Sequence, residues 1–114
     1  MNNKKLGMAF EKEVVKILSA NGYWAHFISP DARGAQPFDI IAVRDDEAVA
    51  VECKTLADSK KYFTFDRLED NQIMAFRKWR ECGNNRILIA IKHKNEINFY
   101  PYESLEEHGR ILCE

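Results

Sequence analysis

The chain has 114 residues, of which 46% are hydrophobic and 31% charged, and its 17 basic against 18 acidic side chains leave a formal net charge of −1. That length makes one domain able to hold its own core, and the composition excludes a disordered chain. Bulk positive charge is excluded as the basis of any nucleic-acid binding, which has to rest on a local patch or on a metal. From Lys4 to about Ala20, Leu6, Phe10, Val14, Ile17 and Leu18 recur at helical intervals, and Asn21-Gly22 supplies the stop. Tyr23 to Ile28 reads as a strand, and Ser29 to Pro37, with Pro30, Gly34 and Pro37, as a loop. Phe38 to Val43 and Glu47 to Lys54 are two strands around the polar turn Asp45-Asp46. Leu56 to Phe65 is a longer connection, after which Asp66-Arg-Leu-Glu69 has the form of a capping box opening a helix that runs to about Cys82. Beyond Gly83-Asn84-Asn85, Arg86 to Lys92 and Ile97 to Tyr100 are strands, and a short helix spans about Ser104 to His108. The order, helix, three strands, helix, two strands, predicts an α/β domain with a central mixed sheet flanked by helices.

No apolar run approaches a membrane span and no basic-then-apolar leader opens the chain, so the expectation is a cytoplasmic protein with no membrane partner. Cys53, Cys82 and Cys113 are widely spaced and odd in number, which fits free thiols, and no CxxC spacing supports a zinc site.

The informative residues are charges set inside apolar patterns, because a buried charge is costly without a partner or a task. Glu11 falls between Val15 and Leu18 on the apolar stripe of the first helix. It is read either as a site residue or as a border residue with its stem on the core and its head in water. If Asp45 and Asp46 are the two turn residues, Arg44 faces Glu47 and Asp39 lies across from Glu52. The two carboxylates then share one sheet face with Cβ atoms on the order of 5 Å apart. Lys54, two residues on, projects from the same face, and Cys53 points away. Adjacent carboxylates repel, and a hard divalent cation such as Mg²⁺ removes the repulsion, whereas a plain Lys54–carboxylate ion pair is the structural alternative. In the second helix Gln72 falls on the side of Leu68, Phe76 and Trp79. It is either a buried amide seeking a site carboxylate, water or phosphate, or a partly exposed amide near the helix start. Lys60-Lys61-Tyr62-Phe63, with Arg67 behind, interleaves cations with aromatics as a phosphate- and base-contacting loop would, and equally as a loop docked by its aromatics. His26, His93 and His108 share no ligand spacing and read as surface or strand-end residues. A Gly-rich phosphate loop and a GxSxG elbow are both missing, so nucleotide hydrolysis and acyl transfer have no support.

Pro37-Phe38-Asp39, twelve residues, then Glu52-Cys53-Lys54 resembles the bipartite motif of the PD-(D/E)XK nuclease superfamily. Gly7-Met8-Ala9-Phe10-Glu11 resembles the Gly-x-x-Phe-Glu opening of archaeal-type Holliday-junction resolvases, and Gln72 is similarly placed to a glutamine of RecU-type resolvases. The resemblance covers about Leu6 to Trp79. It implies a restriction-endonuclease-like core and metal-dependent hydrolysis of DNA phosphodiester bonds. Asp39, Glu52 and the backbone carbonyl of Cys53 would hold one or two Mg²⁺ or Mn²⁺ ions, and Glu11 would complete the shell. Lys54 would position or deprotonate the attacking water, with Gln72 a further catalytic residue. Lys60, Lys61, Tyr62, Arg67 and Arg33 would contact DNA, and a homodimer would present two such sites to a branched substrate. Where archaeal-type resolvases carry a serine before the motif aspartate, this loop reads Ala32-Arg33-Gly34-Ala35-Gln36, with Ser29 displaced. The rival readings are a nuclease of the same fold acting on a flap, single strand or modified site, and a catalytically silent DNA-binding module.

Overall fold

The computed structural model describes residues 3–29 and 36–114. Helix α1 (Asn3–Ala20) is followed by strand β1 (Trp24–Phe27), and β2 (Ile40–Arg44) and β3 (Glu47–Thr55) then form a hairpin. Asp45 and Asp46 both have positive φ, 50° and 63°, the paired left-handed conformation of a type I′ turn, whose twist matches that of the strands it joins. The turn sets Arg44 opposite Glu47 and continues to Ile40 opposite Val51.

A short strand β4 (Tyr62–Thr64) and one 3₁₀ turn (Phe65–Arg67) lead into helix α2 (Asp70–Glu81). Strands β5 (Arg86–His93) and β6 (Glu96–Pro101), helix α3 (Tyr102–His108) and strand β7 (Arg110–Leu112) complete the chain. Lys94 and Asn95 repeat the positive-φ pair between β5 and β6. Gly109 ends α3 at φ +73°, a conformation that favours glycine, and its N–H donates back to the Leu105 carbonyl at 2.8 Å.

The five-stranded sheet has the order β1-β2-β3-β5-β6 and is mixed. Its pairs are antiparallel except β3 with β5, whose parallel register requires the crossover that carries α2. Alternation along β3 divides the interior in two. Val49 and Val51 join Phe10, Val14 and Leu18 under α1, while Ala50 joins Phe76, Leu68 and Phe63 under α2. The centre of the sheet is thus covered on both faces, which explains the near-continuous apolar runs of β2 and β3.

Three expectations need correction. The segment 56–65 is not all connection: Tyr62–Thr64 pairs antiparallel with Arg110–Leu112 in a second, two-stranded sheet. The second helix begins at Asp70 rather than Asp66. Asp66 instead accepts a hydrogen bond from the Thr64 hydroxyl, and Leu68, at ψ 138°, is extended and interrupts the helical path. His93 does end a strand but is buried, and its Nε2 has no hydrogen-bond partner. No helix among the described residues is long and apolar enough to cross a membrane.

Candidate active site

The β2–β3 hairpin opens where its ladder ends, and the first residue past Ile40 on that side is Asp39. Its main chain is tied to both neighbouring strands: the N–H donates to the Val51 carbonyl at 3.2 Å, and the carbonyl accepts from the Ile28 N–H at 2.9 Å. Its side chain is held by two donors. Oδ1 accepts from Gln36 Nε2 at 2.7 Å and Oδ2 from the Cys53 N–H at 2.8 Å. The register that the two-residue turn imposes is therefore the expected one, with Asp39 beside Glu52.

Glu52 is nearly inaccessible, with 2% of its surface exposed. Its Oε2 accepts from Gln72 Nε2 at 2.5 Å and lies 3.6 Å from Lys54 Nζ, while its Oε1 is buried with no partner. Lys54 projects on the same side, two residues along the strand. Cys53 faces the opposite way and packs on the α1 cluster. Gln72 owes its place to the start of α2, where its Oε1 accepts from the Glu69 N–H at 3.0 Å, one half of a capping box. Both ends of the amide are satisfied in a buried position, so of the two readings of Gln72 the partly exposed one is excluded.

Glu11 approaches from α1, on the other side of the sheet, and its carboxyl meets Asp39. Asp39 thus stands between two glutamates, one from each face. The electrostatic consequence is large. Burial, then the charge of Asp39, lifts the Glu52 carboxyl to about 9, and the attraction of Lys54 at 3.6 Å does not offset it. Burial and Asp39 also lift Glu11 to about 7. The Cys53 thiol is pushed far up by burial and by the three carboxylates, so it is no nucleophile. Burial and the neighbouring carboxylate together hold Glu11 and Glu52 above the usual carboxylate range.

Among the described residues no three His, Cys, Asp or Glu side chains form a ready-made ion shell. Asp39 and Glu52 do fit a hard cation in part: each oxygen of Asp39 keeps a lone pair after its one hydrogen bond, and Glu52 Oε1 is an acceptor with nothing to accept. A cavity lined by Glu11, Lys12, Phe27, Ser29, Gln36 and Asp39 opens beside them.

The model of the family described as archaeal Holliday junction resolvase (Hjc) matches residues 2–113. The chain belongs to the archaeal Holliday junction resolvase family. It is 28% identical over 104 residues, 91% of this chain and 71% of the relative, to the crossover junction endodeoxyribonuclease Hjc of Methanocaldococcus jannaschii. It also superposes on the Holliday junction resolvase Hjc of Archaeoglobus fulgidus with a TM-score of 0.66 and 22% identity, over 91% of this chain and 85% of that one, which shows the shared fold.

Within this resolvase, the structure brings together Glu11, Asp39, Glu52, Lys54 and Gln72. The expected DNA contacts are placed less uniformly. Lys60 and Lys61 are exposed, whereas Arg67 donates to the Thr55 carbonyl at 2.9 Å and lies over the Phe63 ring. Tyr62 is exposed, but the Arg110 guanidinium covers one ring face at 4.2 Å. Arg33 lies outside the described residues. Gln36 and Arg110 were not singled out by the sequence. The only signal for Gln36 is a polar side chain three residues before the motif aspartate, and Arg110 has none, because its partner is distant in the chain.

Proposed function

We propose that this resolvase hydrolyses DNA phosphodiester bonds with Mg²⁺ or Mn²⁺ and, as a homodimer, cuts paired strands of a branched junction. The observation that carries the metal requirement is the buried, partnerless Oε1 of Glu52 beside the twice-bonded carboxylate of Asp39. Asp39, Glu52 and the Cys53 carbonyl would hold the ion, with Glu11 closing its shell. The ion when bound supplies charge to polarise the scissile phosphate and to stabilise the leaving oxygen.

The chain's own groups do the rest. Gln72 fixes Glu52 Oε2 by a buried hydrogen bond, leaving Oε1 as the free donor atom. Lys54, largely buried and not held closely by Glu52, has N–H donors left to hold the attacking water. Lys60 and Lys61 bring phosphate contacts from the exposed connection before β4. Paired cuts need two copies of this site, which a two-fold dimer provides.

The test is cleavage of a four-way junction and of a linear duplex of equal length, with Mg²⁺, with Ca²⁺ and with chelator. The expected result is cleavage with Mg²⁺ only, preference for the junction, and binding without turnover in Ca²⁺. Cleavage that persists in chelator would overturn the metal requirement. Equal cutting of both DNAs by a protein that sediments as a monomer would overturn the junction reading.

A further inference from the structure

The first turn of α2 holds both motif carboxylates, one directly and one at a distance. Gln72 donates to Glu52. Its neighbour Asn71 reaches the other way: Asn71 Nδ2 donates to the Gln36 carbonyl at 3.0 Å, and the Gln36 side chain donates to Asp39 Oδ1 at 2.7 Å. Gln36 is half-buried and lies in the connection between β1 and β2. Without Asn71, no other hydrogen bond among the described residues fixes its main chain.

We infer that Gln36 and Asn71 form a positioning relay that sets the rotation of the Asp39 carboxylate for a divalent cation. The inference rests on the metal-dependent reading above. Oδ2 is already fixed by the Cys53 N–H, a main-chain donor that no side-chain change removes. The Glu11 carboxyl also meets Asp39, and the Gln36 amide is the neutral side-chain donor that fixes Oδ1 against turning about the Cβ–Cγ bond. Partners that orient a ligating carboxylate in this way are commonly worth roughly 10–100-fold in metal affinity. The contact that Gln36 makes at the site is with Asp39. It acts through Asp39, and Asn71 acts through Gln36.

The relay orders its members, which a general structural role does not, and a double-mutant cycle reads that order. Mn²⁺ binding to the DNA-free protein, followed by electron paramagnetic resonance, is measured for wild type, Gln36→Met, Asn71→Ala, the double variant and Asp39→Asn. Thermal unfolding of each without metal is measured alongside. Gln36→Met keeps the length of the side chain and removes its donor, so Mn²⁺ affinity should fall about tenfold or more. Asn71→Ala should fall in the same direction by less, and the double variant should match Gln36→Met alone. Mn²⁺ affinity in Gln36→Met within about twofold of wild type would overturn the relay, as would losses that multiply in the double variant. If Gln36→Met unfolds at lower temperature, Gln36→Met against the double variant still decides, since a relay through an absent donor has nothing left to lose. Junction cleavage by the wild type separates the two levels. A wild type that cuts with Mn²⁺ while Gln36→Met binds it normally sinks the relay alone, and a wild type that binds no Mn²⁺ sinks both.

Discussion

Glu52 is the residue on which stability and chemistry meet. Its carboxyl is raised from the usual 4.5 to about 9, so between those values the folded protein holds a proton that the unfolded chain has released. More protons on the folded side mean that stability falls as pH rises through that window, by up to about 1.4 kcal/mol per pH unit for one group. Glu11, lifted to about 7, adds to the slope between 4.5 and 7, but by less, since water screens its exposed part. Metal-free protein should therefore unfold at a lower temperature at pH 9 than at pH 5, and Mg²⁺ should recover more of the loss at pH 9. Glu52→Gln should flatten the pH dependence, and a scanning calorimeter reads all three. Lys54 separates binding from chemistry: Lys54→Ala should reduce cleavage by orders of magnitude while junction affinity in Ca²⁺ changes little. Asp39→Asn should remove both Mn²⁺ binding and cleavage, because a neutral amide is a poor ligand for a hard ion.

Among the elements, the Asp45-Asp46 turn has the greatest reach. Both residues adopt the left-handed region at some cost, since neither is glycine. Asp46→Gly should stabilise the protein by about 0.5–1 kcal/mol in denaturant melts without altering the site. One residue inserted between Asp45 and Asp46 should do the opposite: it would slip the pairing that now sets Arg44 against Glu47, leaving Asp39 beside Cys53 and cleavage lost. The hairpin was legible in the sequence because a two-residue turn and flanking apolar runs are local signals. So were the carboxylates, because charges in an apolar run stand out. Strands β4 and β7 were not legible: each has three residues, and Phe63 pairs with Ile111 across 48 positions. Nor was the true start of α2. Asp66-x-x-Glu69 and Glu69-x-x-Gln72 both have a capping form, and what decides between them is a tertiary contact, Gln72 reaching Glu52.

At the scale of the whole molecule, a net charge of −1 conceals an uneven distribution. Lys60 and Lys61 are exposed beside the second sheet, whereas acidic groups gather at the opened end of the β2–β3 hairpin. DNA affinity should fall steeply with salt, with a slope that counts the phosphates neutralised. Replacing Lys60 and Lys61 by alanine should reduce that slope by about two in a binding titration repeated across salt concentrations, if each lysine meets one phosphate.

The mixed sheet also implies an order of assembly. A hairpin closed by a two-residue turn forms on the order of microseconds, whereas the parallel pairing of β3 with β5 waits for the whole crossover through α2. Asp39 and Glu52 therefore meet while water still surrounds them, and α2 arrives later to seal Glu52 beneath Gln72. The late step in folding should be the burial of a carboxyl pair already brought together. At alkaline pH that sealing should be the slow phase of refolding, and a divalent cation captured by the open hairpin should hasten it.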